Sequence, residues 1–187
     1  AEARRLAPAD AIVIEAAVIE VPKSERVVKE RQKPLFTELA DTKLPQVDLL
    51  DAAPGSRQES VTPETLEMTS RLIEKKLKDF GVEVRVVAAS PGPVITRYEV
   101  EPATGVKGAQ VVNLAKDLAR SLSLVSIRVV ETIPGKTTMA LELPNAKRQT
   151  IRLAEILGST AYNDAHSMLT IGLGKDIVGA PVVIDLA

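Results

Sequence analysis

The sequence contains no cysteine and a single histidine, His166. Without thiols the chain has no disulfide and no cysteine nucleophile, and the usual zinc ligand sets of cysteine and histidine are excluded. The lack of cysteine suits a cytosolic setting. His166 lies in the polar segment 159–167, which we predict to be a loop. Because no second histidine accompanies it, we interpret it as a lone surface residue.

Aromatic residues are nearly as scarce, since the chain has two Phe, two Tyr and no Trp. A core must therefore be built from Val, Ile, Leu and Ala, and a hydrophobic content of 45% is sufficient for one. Proteins that bind single-stranded nucleic acid commonly stack the bases on aromatic rings. This chain is a poor candidate for that mode of binding.

Long apolar runs and a strong net charge are also missing. No apolar run approaches membrane-spanning length, and no signal peptide is visible. The formal net charge is −1, but residues 82–157 hold ten Lys and Arg against seven Asp and Glu, a local excess of +3. This bias is too mild for a dedicated DNA-binding domain. The chain begins with Ala1 and ends directly after an apolar run, so we expect it to be a fragment.

Residues 1–43 have the composition of a linker. They are rich in Ala, Glu, Lys and Arg, and the run 23–33 carries seven charges of mixed sign. We predict a flexible, partly disordered tail. The apolar patch Leu44–Leu50 is interpreted as the segment that docks this tail on the following domain, with Leu49 among its contacts. The alternative is that the patch is a partner-binding peptide.

A leading helix is predicted at 61–81. Thr62 is a favourable N-cap, Pro63 suits the first helical position, and Gly81 is a typical terminator. The apolar residues that share one face of this helix are Leu66, Ile73, Leu77 and Phe80. Their spacing predicts an amphipathic helix whose apolar face enters a core.

The segment 82–157 has the pattern of a ββαββ core. Its predicted elements are strands at 82–89 and 94–100, a helix at 109–124, and strands at 126–132 and 138–143. Each strand pair surrounds a Pro-Gly turn, which predicts two β-hairpins. The remaining segment 150–157 is a short strand or a helical turn.

Residues 158–187 are expected to form a terminal hairpin from two apolar runs. The predicted fold class is therefore α/β (α+β). We expect a single mixed-sheet domain at 44–187 with β-hairpins and two main helices, preceded by a flexible linker. Gly172-Leu173-Gly174, together with Gly179, matches a dinucleotide-binding motif only loosely and is interpreted as the hairpin turn.

Gly135-Lys136-Thr137 has the Gly-Lys-Thr triplet of a phosphate-binding loop. Such a loop also needs a glycine where this chain has Val130, and it must open a helix, whereas residues 138–143 are strand-like. We therefore interpret the triplet as a tight turn with an exposed Lys136. Because no nucleophile elbow, zinc-protease motif or paired-carboxylate motif occurs, the sequence predicts no catalytic, cofactor or metal site in this chain.

The segment Gly105-Val106-Lys107-Gly108 matches the GxxG loop that clamps a nucleic-acid backbone in KH domains. A KH loop joins two helices, but here a predicted strand precedes the loop. The simpler interpretation is a loop before a helix. A stand-alone KH-like nucleic-acid-binding module remains the alternative function.

Basic residues at turns and on the second predicted helix are the candidate DNA contacts. They would touch phosphates without reading bases, which suits a protein that tracks along DNA. The candidates are Lys107, Lys116, Arg120, Arg128, Lys136, Lys147 and Arg148. The alternative is that these residues are ordinary solvated surface.

Several short motifs, collinear along the chain, resemble one known family. They are GPVITRYE at 92–99, GVK at 105–107, NLAKDLARSLS at 113–123, RVVETIPGK at 128–136, LELPN at 141–145 and GKDI at 174–177, preceded by LPQVDLL at 44–50. Over residues 44–187 the chain is similar to the region before the motor of FtsK/SpoIIIE-type DNA translocases.

The resemblance implies that the chain comprises a linker and the α part of the motor, and that it is cut before the ATPase β part. It implies the non-catalytic α tier of an ATP-driven, membrane-anchored translocase of double-stranded DNA that acts in chromosome segregation and cell division. The implied partners are non-specific duplex DNA, other copies in a hexameric ring, the ATPase domain, and cell-division proteins that contact the linker. ATP and Mg²⁺ are implied only for the motor domain. The implied location is the cytoplasmic portion of a protein of the bacterial inner membrane.

Overall fold

The computed structural model describes residues 12–14, 24, 49–52 and 61–187. Most of the predicted linker 1–43 and of the docking patch therefore lies outside the described residues. Leu49 is described and is 74% exposed, so this side chain is not buried as the docking prediction requires. The mixed α/β architecture is confirmed. Within the described residues no helix is long and apolar enough to cross a membrane.

The chain forms two compact units. Among the described residues, the first unit contains 12–14 and 61–148, and the second contains 24, 49–52 and 149–187. The first unit carries the five-stranded sheet and its helices, whereas the second carries a two-stranded sheet.

Helix α1 spans Pro63–Asp79, within the predicted range. The Thr62 hydroxyl caps it by accepting a hydrogen bond from the Thr65 N–H at 3.3 Å, and Gly81 follows its end with a φ of 78°. Three of the four predicted core residues are buried, namely Leu66, Ile73 and Leu77. The fourth prediction is wrong, because Phe80 is the C-cap, where the backbone leaves the helix and the ring stays 40% exposed.

A five-stranded sheet with the order β1-β2-β3-β5-β4 lies at the centre of the first unit. Its strands are β1 Val13–Ile14, β2 Val84–Pro91, β3 Ile95–Pro102, β4 Arg128–Val130 and β5 Met139–Pro144. Strand β1 pairs parallel with β2, and the other neighbours are antiparallel. The pairs β2–β3 and β4–β5 are the two hairpins expected from the Pro-Gly turns.

One face of this sheet carries the hydrophobic core. Side chains alternate along a strand, so Tyr98 and Val100 of β3 share a face with Leu141 of β5. They form one buried cluster with Leu66 and Ile73 of α1. The intervening residues of the same strands point to the opposite face, which positions the candidate site.

The helix predicted at 109–124 is in fact two shorter helices, α2 Gly108–Asn113 and α3 Ala115–Ser121. They meet at Leu114, whose ψ of −2° turns the backbone off the helical path. The apolar spacing does not reveal this break, because Val111 and Leu118 on either side of it are both buried. The helical segment thus presents two separate N-termini rather than one.

The second unit contains helices α4 Leu153–Leu157 and α5 Thr160–Asn163 and strands β6 Thr170–Lys175 and β7 Pro181–Asp185. Helix α5 lies within the segment 159–167 that was predicted to be a loop, so that part of the prediction is wrong. Ser159 explains the helix, since its hydroxyl accepts a hydrogen bond from the Tyr162 N–H at 3.3 Å. His166 is exposed, in agreement with its interpretation as a surface residue.

The hairpin turn between β6 and β7 contains Gly179, as predicted, but not Gly172-Leu173-Gly174. These residues lie within β6, where the pairing register shifts between Gly172 and Gly174. The turn is made instead by Asp176, whose Oδ1 accepts hydrogen bonds from the backbone N–H groups of 178, 179 and 180 at 2.8–3.0 Å. An aspartate that satisfies three backbone donors organises the turn. The register shift between Gly172 and Gly174 makes this glycine pair a β-bulge.

Candidate nucleic-acid interface

The sheet face opposite the core carries a row of charged side chains, which we call the charged face. Its members are Arg85, Arg97, Glu99, Glu101, Arg128 and Glu142. Glu142 lies between two arginines, because the register sets it opposite both Arg97 and Arg128. The nitrogen-to-oxygen distances are 2.6 Å from Arg97 and 3.3 Å from Arg128. Glu142 is only 5% exposed, so these cations compensate a carboxylate that has lost most of its water.

The Gly-Lys-Thr triplet forms a tight turn that leads into β5. Gly135 has a φ of 77°, and the Lys136 N–H donates a hydrogen bond to the Ile133 carbonyl at 3.1 Å. The Lys136 stem is exposed, but its Nζ lies 2.7 Å from Glu99 Oε1. A phosphate at this lysine would therefore have to compete with a buried carboxylate.

The Gly105–Gly108 loop joins strand β3 to the six-residue helix α2. Gly105 has a φ of 91°, and the Lys107 N–H donates a hydrogen bond to Gln110 Oε1 at 2.9 Å. The loop is therefore a helix cap after a strand. It lacks the helix on its N-terminal side that a KH clamp requires.

Candidate cations for which the described residues include no acidic partner lie at both ends of β5. Lys107 precedes Gly108, which lies beside the Met139 side chain at the start of the strand, whereas Lys147 and Arg148 follow the strand end at Pro144. A six-residue strand is about 20 Å long, so these cations do not form one patch. All three are exposed and, within the described part of the chain, form no ion pair.

Helix α3 carries the other two candidates, Lys116 and Arg120, both exposed. Arg120 pairs with Asp117 one turn earlier, at 2.5 Å, whereas Lys116 has no acidic partner among the described residues. The seven candidates thus fall into two groups. Arg120, Arg128 and Lys136 are paired, whereas the structure describes no acidic partner for Lys107, Lys116, Lys147 and Arg148 within 12–14, 24, 49–52 and 61–187.

Asn145 holds the turn after β2 against the end of β5, a role that sequence reasoning missed. Its Nδ2 donates a hydrogen bond to the Gly92 carbonyl at 2.8 Å, and its Oδ1 accepts one from the Thr96 hydroxyl at 2.7 Å. Its backbone N–H also donates to the Val94 carbonyl at 3.0 Å. This buried amide determines where the chain leaves the sheet, two residues before Lys147. The Pro-Asn pair at the strand end was the only sequence signal for it.

Most of the first unit matches a known protein family. The FtsK alpha domain matches residues 44–145, which contain α1–α3 and all strands of the large sheet except β1. The chain belongs to the FtsK alpha domain family. The second unit's hairpin lies beyond the matched residues.

The relatives of this chain include several proteins that are named DNA translocases. It is 71% identical over 181 residues to DNA translocase FtsK 2 of Ralstonia nicotianae, covering 97% of this chain and 23% of that protein. It is 54% identical over 165 residues to DNA translocase FtsK of Pseudomonas aeruginosa, covering 88% of this chain and 20% of that protein. It is 59% identical over 143 residues to DNA translocase FtsK 1 of Neisseria meningitidis serogroup A, covering 76% of this chain and 18% of that protein. The chain thus spans less than a quarter of each relative's length.

Proposed function

We propose that this chain is the non-catalytic α tier of an ATP-driven translocase of double-stranded DNA. The observation that carries the proposal is the match of the FtsK alpha domain to residues 44–145. The fold of the Gly-Lys-Thr triplet supports it, because a turn that enters a strand does not offer the row of backbone N–H groups of a phosphate loop. ATP and Mg²⁺ would bind in the motor domain of the longer protein.

In this proposal the α tier shapes a hexameric ring and lines the passage for DNA. It is also coupled mechanically to the ATPase domain. The longer protein would be anchored in the bacterial inner membrane, with this chain on the cytoplasmic side. It would serve chromosome segregation and cell division, and cell-division proteins would reach it through the linker. The names of the relatives, all DNA translocases, support DNA as the substrate.

The unpaired cations are the preferred DNA contacts. Lys107, Lys116, Lys147 and Arg148 are exposed and have no acidic partner among the described side chains. Neutralising phosphates with such residues releases counterions and gives binding without sequence preference. Arg128 and Lys136 contribute less, since Glu142 and Glu99 already neutralise them.

The alternative, a KH-like module, is disfavoured by the Gly105–Gly108 loop, which follows a strand. If the alternative held, Gly108→Asp would abolish binding of RNA or single-stranded DNA. The α-tier proposal expects that change to weaken duplex binding only in part, because the added carboxylate adjoins Lys107, one of the four preferred cations. The two results are distinguished by titrating each nucleic acid with both proteins.

An ATPase assay on the purified chain tests the proposal. We expect no hydrolysis above a protein-free blank, with or without duplex DNA, and no difference between the wild-type chain and Lys136→Ala. Reproducible hydrolysis that disappears in Lys136→Ala would overturn the α-tier assignment. Light scattering on the same sample should show weak association, because most ring contact is assigned to the ATPase tier, and a stable hexamer would contradict that.

A further inference from the structure

The side of strand β2 that faces away from β3 is an outer edge of the large sheet, which we call the β2 edge. Strand β1 pairs with this edge in parallel, through the pairs Val13↔Ala88 and Ile14↔Ala89. A sheet edge presents backbone N–H and C=O groups that can pair with any extended chain. Residues 12–14 precede the residues 44–145 that match the FtsK alpha domain, so the family match does not account for this strand.

Two residues limit the length of the β2 edge that another strand can use. The Val86 N–H donates a hydrogen bond to Glu74 Oε1 of helix α1 at 2.8 Å, so this donor is already taken. Pro91, the last residue of β2, has no backbone N–H to donate. The usable stretch is therefore residues 87–90. This length fits a short extended segment and not the full edge strand of a second sheet.

Ile12 gives the pairing an apolar anchor. It is partly buried and packs against the hydrophobic core cluster of the first unit, directly before β1 begins. Val13 and Ile14 are 60% and 39% exposed, so they contribute mainly through their backbone groups. Main-chain pairing together with a pocket for particular side chains is the usual way in which a sheet edge binds an extended peptide.

We propose that the β2 edge is a binding site for a short, extended apolar segment, and that residues 12–14 of the same chain are its reversible occupant. The pairing closes the edge to other strands and fixes the N-terminal segment to the first unit, to which residues 12–14 belong. When the occupant leaves, residues 87–90 become available to another extended segment. The proposal does not depend on the assignment of the chain to an α tier.

The small size of the contact favours an occupant on the same chain. A stable interface between separate proteins usually takes about 20–30 residues from each side, far more than two residue pairs and one anchor. A segment of the same polypeptide has a high effective concentration, so a short contact is enough to hold it. A second copy of the chain would need a longer open edge than Glu74 and Pro91 leave.

Amide hydrogen exchange of the 187-residue chain tests the occupant. Val13→Pro combined with Ile14→Pro vacates the site, because one of two successive N–H groups in a strand faces the neighbouring strand. At least one amide within 87–90 should then exchange about tenfold faster or more, while the amides of α1 keep their protection. Threonine at both positions keeps the donors and the β-branched side chains, and is the matched control. Ile12→Asp vacates the site by a second route and should give the same pattern as the prolines.

A soluble peptide tests whether the β2 edge is a binding site. A fluorescein-labelled peptide of residues 9–18 should bind the proline variant saturably and restore slow exchange at 87–90. It should bind the wild-type chain at least about tenfold more weakly, because the resident strand competes for the same edge. The same peptide carrying Ile12→Asp should not bind either protein.

Three results would overturn the proposal. The first is equal exchange at 87–90 in the wild-type chain and in both vacated variants. The second is a peptide that does not bind the proline variant, or that binds equally well with and without Ile12→Asp. The third is protection in the wild-type chain that falls on dilution, because the strand would then come from a second copy. These measurements use neither DNA nor ATP, so their failure is distinct from a failure of the α-tier assignment.

Discussion

Lys136 Nζ is held by both oxygens of the Glu99 carboxylate, at 2.7 and 2.8 Å. The lysine comes from the β4–β5 turn and the glutamate from the middle of β3, so the pair ties the turn to the charged face. Glu99 is only 7% exposed and accepts one further, long hydrogen bond from the Thr138 hydroxyl at 3.5 Å. The lysine that most resembles a phosphate ligand in the sequence is thus the main partner of a buried carboxylate.

Lys136→Ala should lower the free energy of unfolding by about 1–2 kcal/mol, because Glu99 would remain buried without its cation. Urea unfolding of the purified chain measures the difference. Lys147→Ala, which removes an exposed lysine without a described acidic partner, is the matched control and should change stability by less than about 0.5 kcal/mol. Equal stability of the two variants would contradict the role given to the pair.

The two arginines on Glu142 should differ in their contribution to stability. The Arg97 side chain is 26% exposed and that of Arg128 is 76% exposed, so solvent screens the second pair more strongly. We expect Arg97→Ala to cost about 2 kcal/mol and Arg128→Ala less than about 1 kcal/mol. Denaturant unfolding of both variants measures the order, and a larger loss for Arg128→Ala would show that Glu142 depends on the outer arginine.

Asn145→Ala should destabilise the first unit by about 1–3 kcal/mol, because the Gly92 carbonyl and the Thr96 hydroxyl would lose a buried partner. Thermal or urea unfolding measures the loss. Asn113→Ala is the control, since Asn113 is exposed at the end of α2. A loss no greater than that of the control would mean that the amide does not hold the turn to β5.

Duplex binding should weaken when Lys147 and Arg148 are both replaced by Ala. The slope of log affinity against log salt should fall by about 2, since each lost phosphate contact reduces it by about 1. Fluorescence anisotropy with two unrelated duplexes should show the same loss for both. Lys136→Ala is the matched control and should change affinity little, because Glu99 neutralises it; an equal effect would show that paired cations also face the duplex.

Stability should decline at alkaline pH through Tyr98. Burial raises the pKa of its phenol above the ordinary 10.0, against a smaller lowering by a hydrogen bond to the Thr69 side chain. Because the folded pKa exceeds the unfolded one, this contribution is fully present below about pH 10 and is lost as pH rises through the folded value. Unfolding midpoints measured above and below that pH should depend on pH in the wild-type chain. This pH dependence should be weaker in Tyr98→Phe and should persist in Tyr162→Phe. If Tyr98→Phe shows the same pH dependence as the wild-type chain, other groups cause the loss of stability.

Local signals in the sequence were sufficient for most elements of the fold. The two ends of α1 are set by Thr62 and Pro63 at its start and by Gly81 after its end. Their capping and backbone preferences act over a few residues. The alternation along β3 and the first residues of β2 separates core from surface because the strand period is two residues, until the register of β2 shifts between Val86 and Ala88. The break at Leu114 was not predicted, since it leaves the apolar spacing intact. Helix α5 was missed because its four residues are too few to show a helical period and its cap is a single serine.

For the charged residues of the candidate site, the sequence and the tertiary structure each determined a different part. The sequence by itself determined which residues are basic, that Gly135-Lys136 makes a turn, and the family resemblance, because composition and short motifs are local properties. Only the tertiary structure decided that Lys136 and Arg128 are neutralised by Glu99 and Glu142, whereas no described carboxylate neutralises Lys147 or Arg148. The partners are separated by 37 and 14 residues in the sequence. Their contact depends on strand register, and register is set by the packing of the whole sheet face.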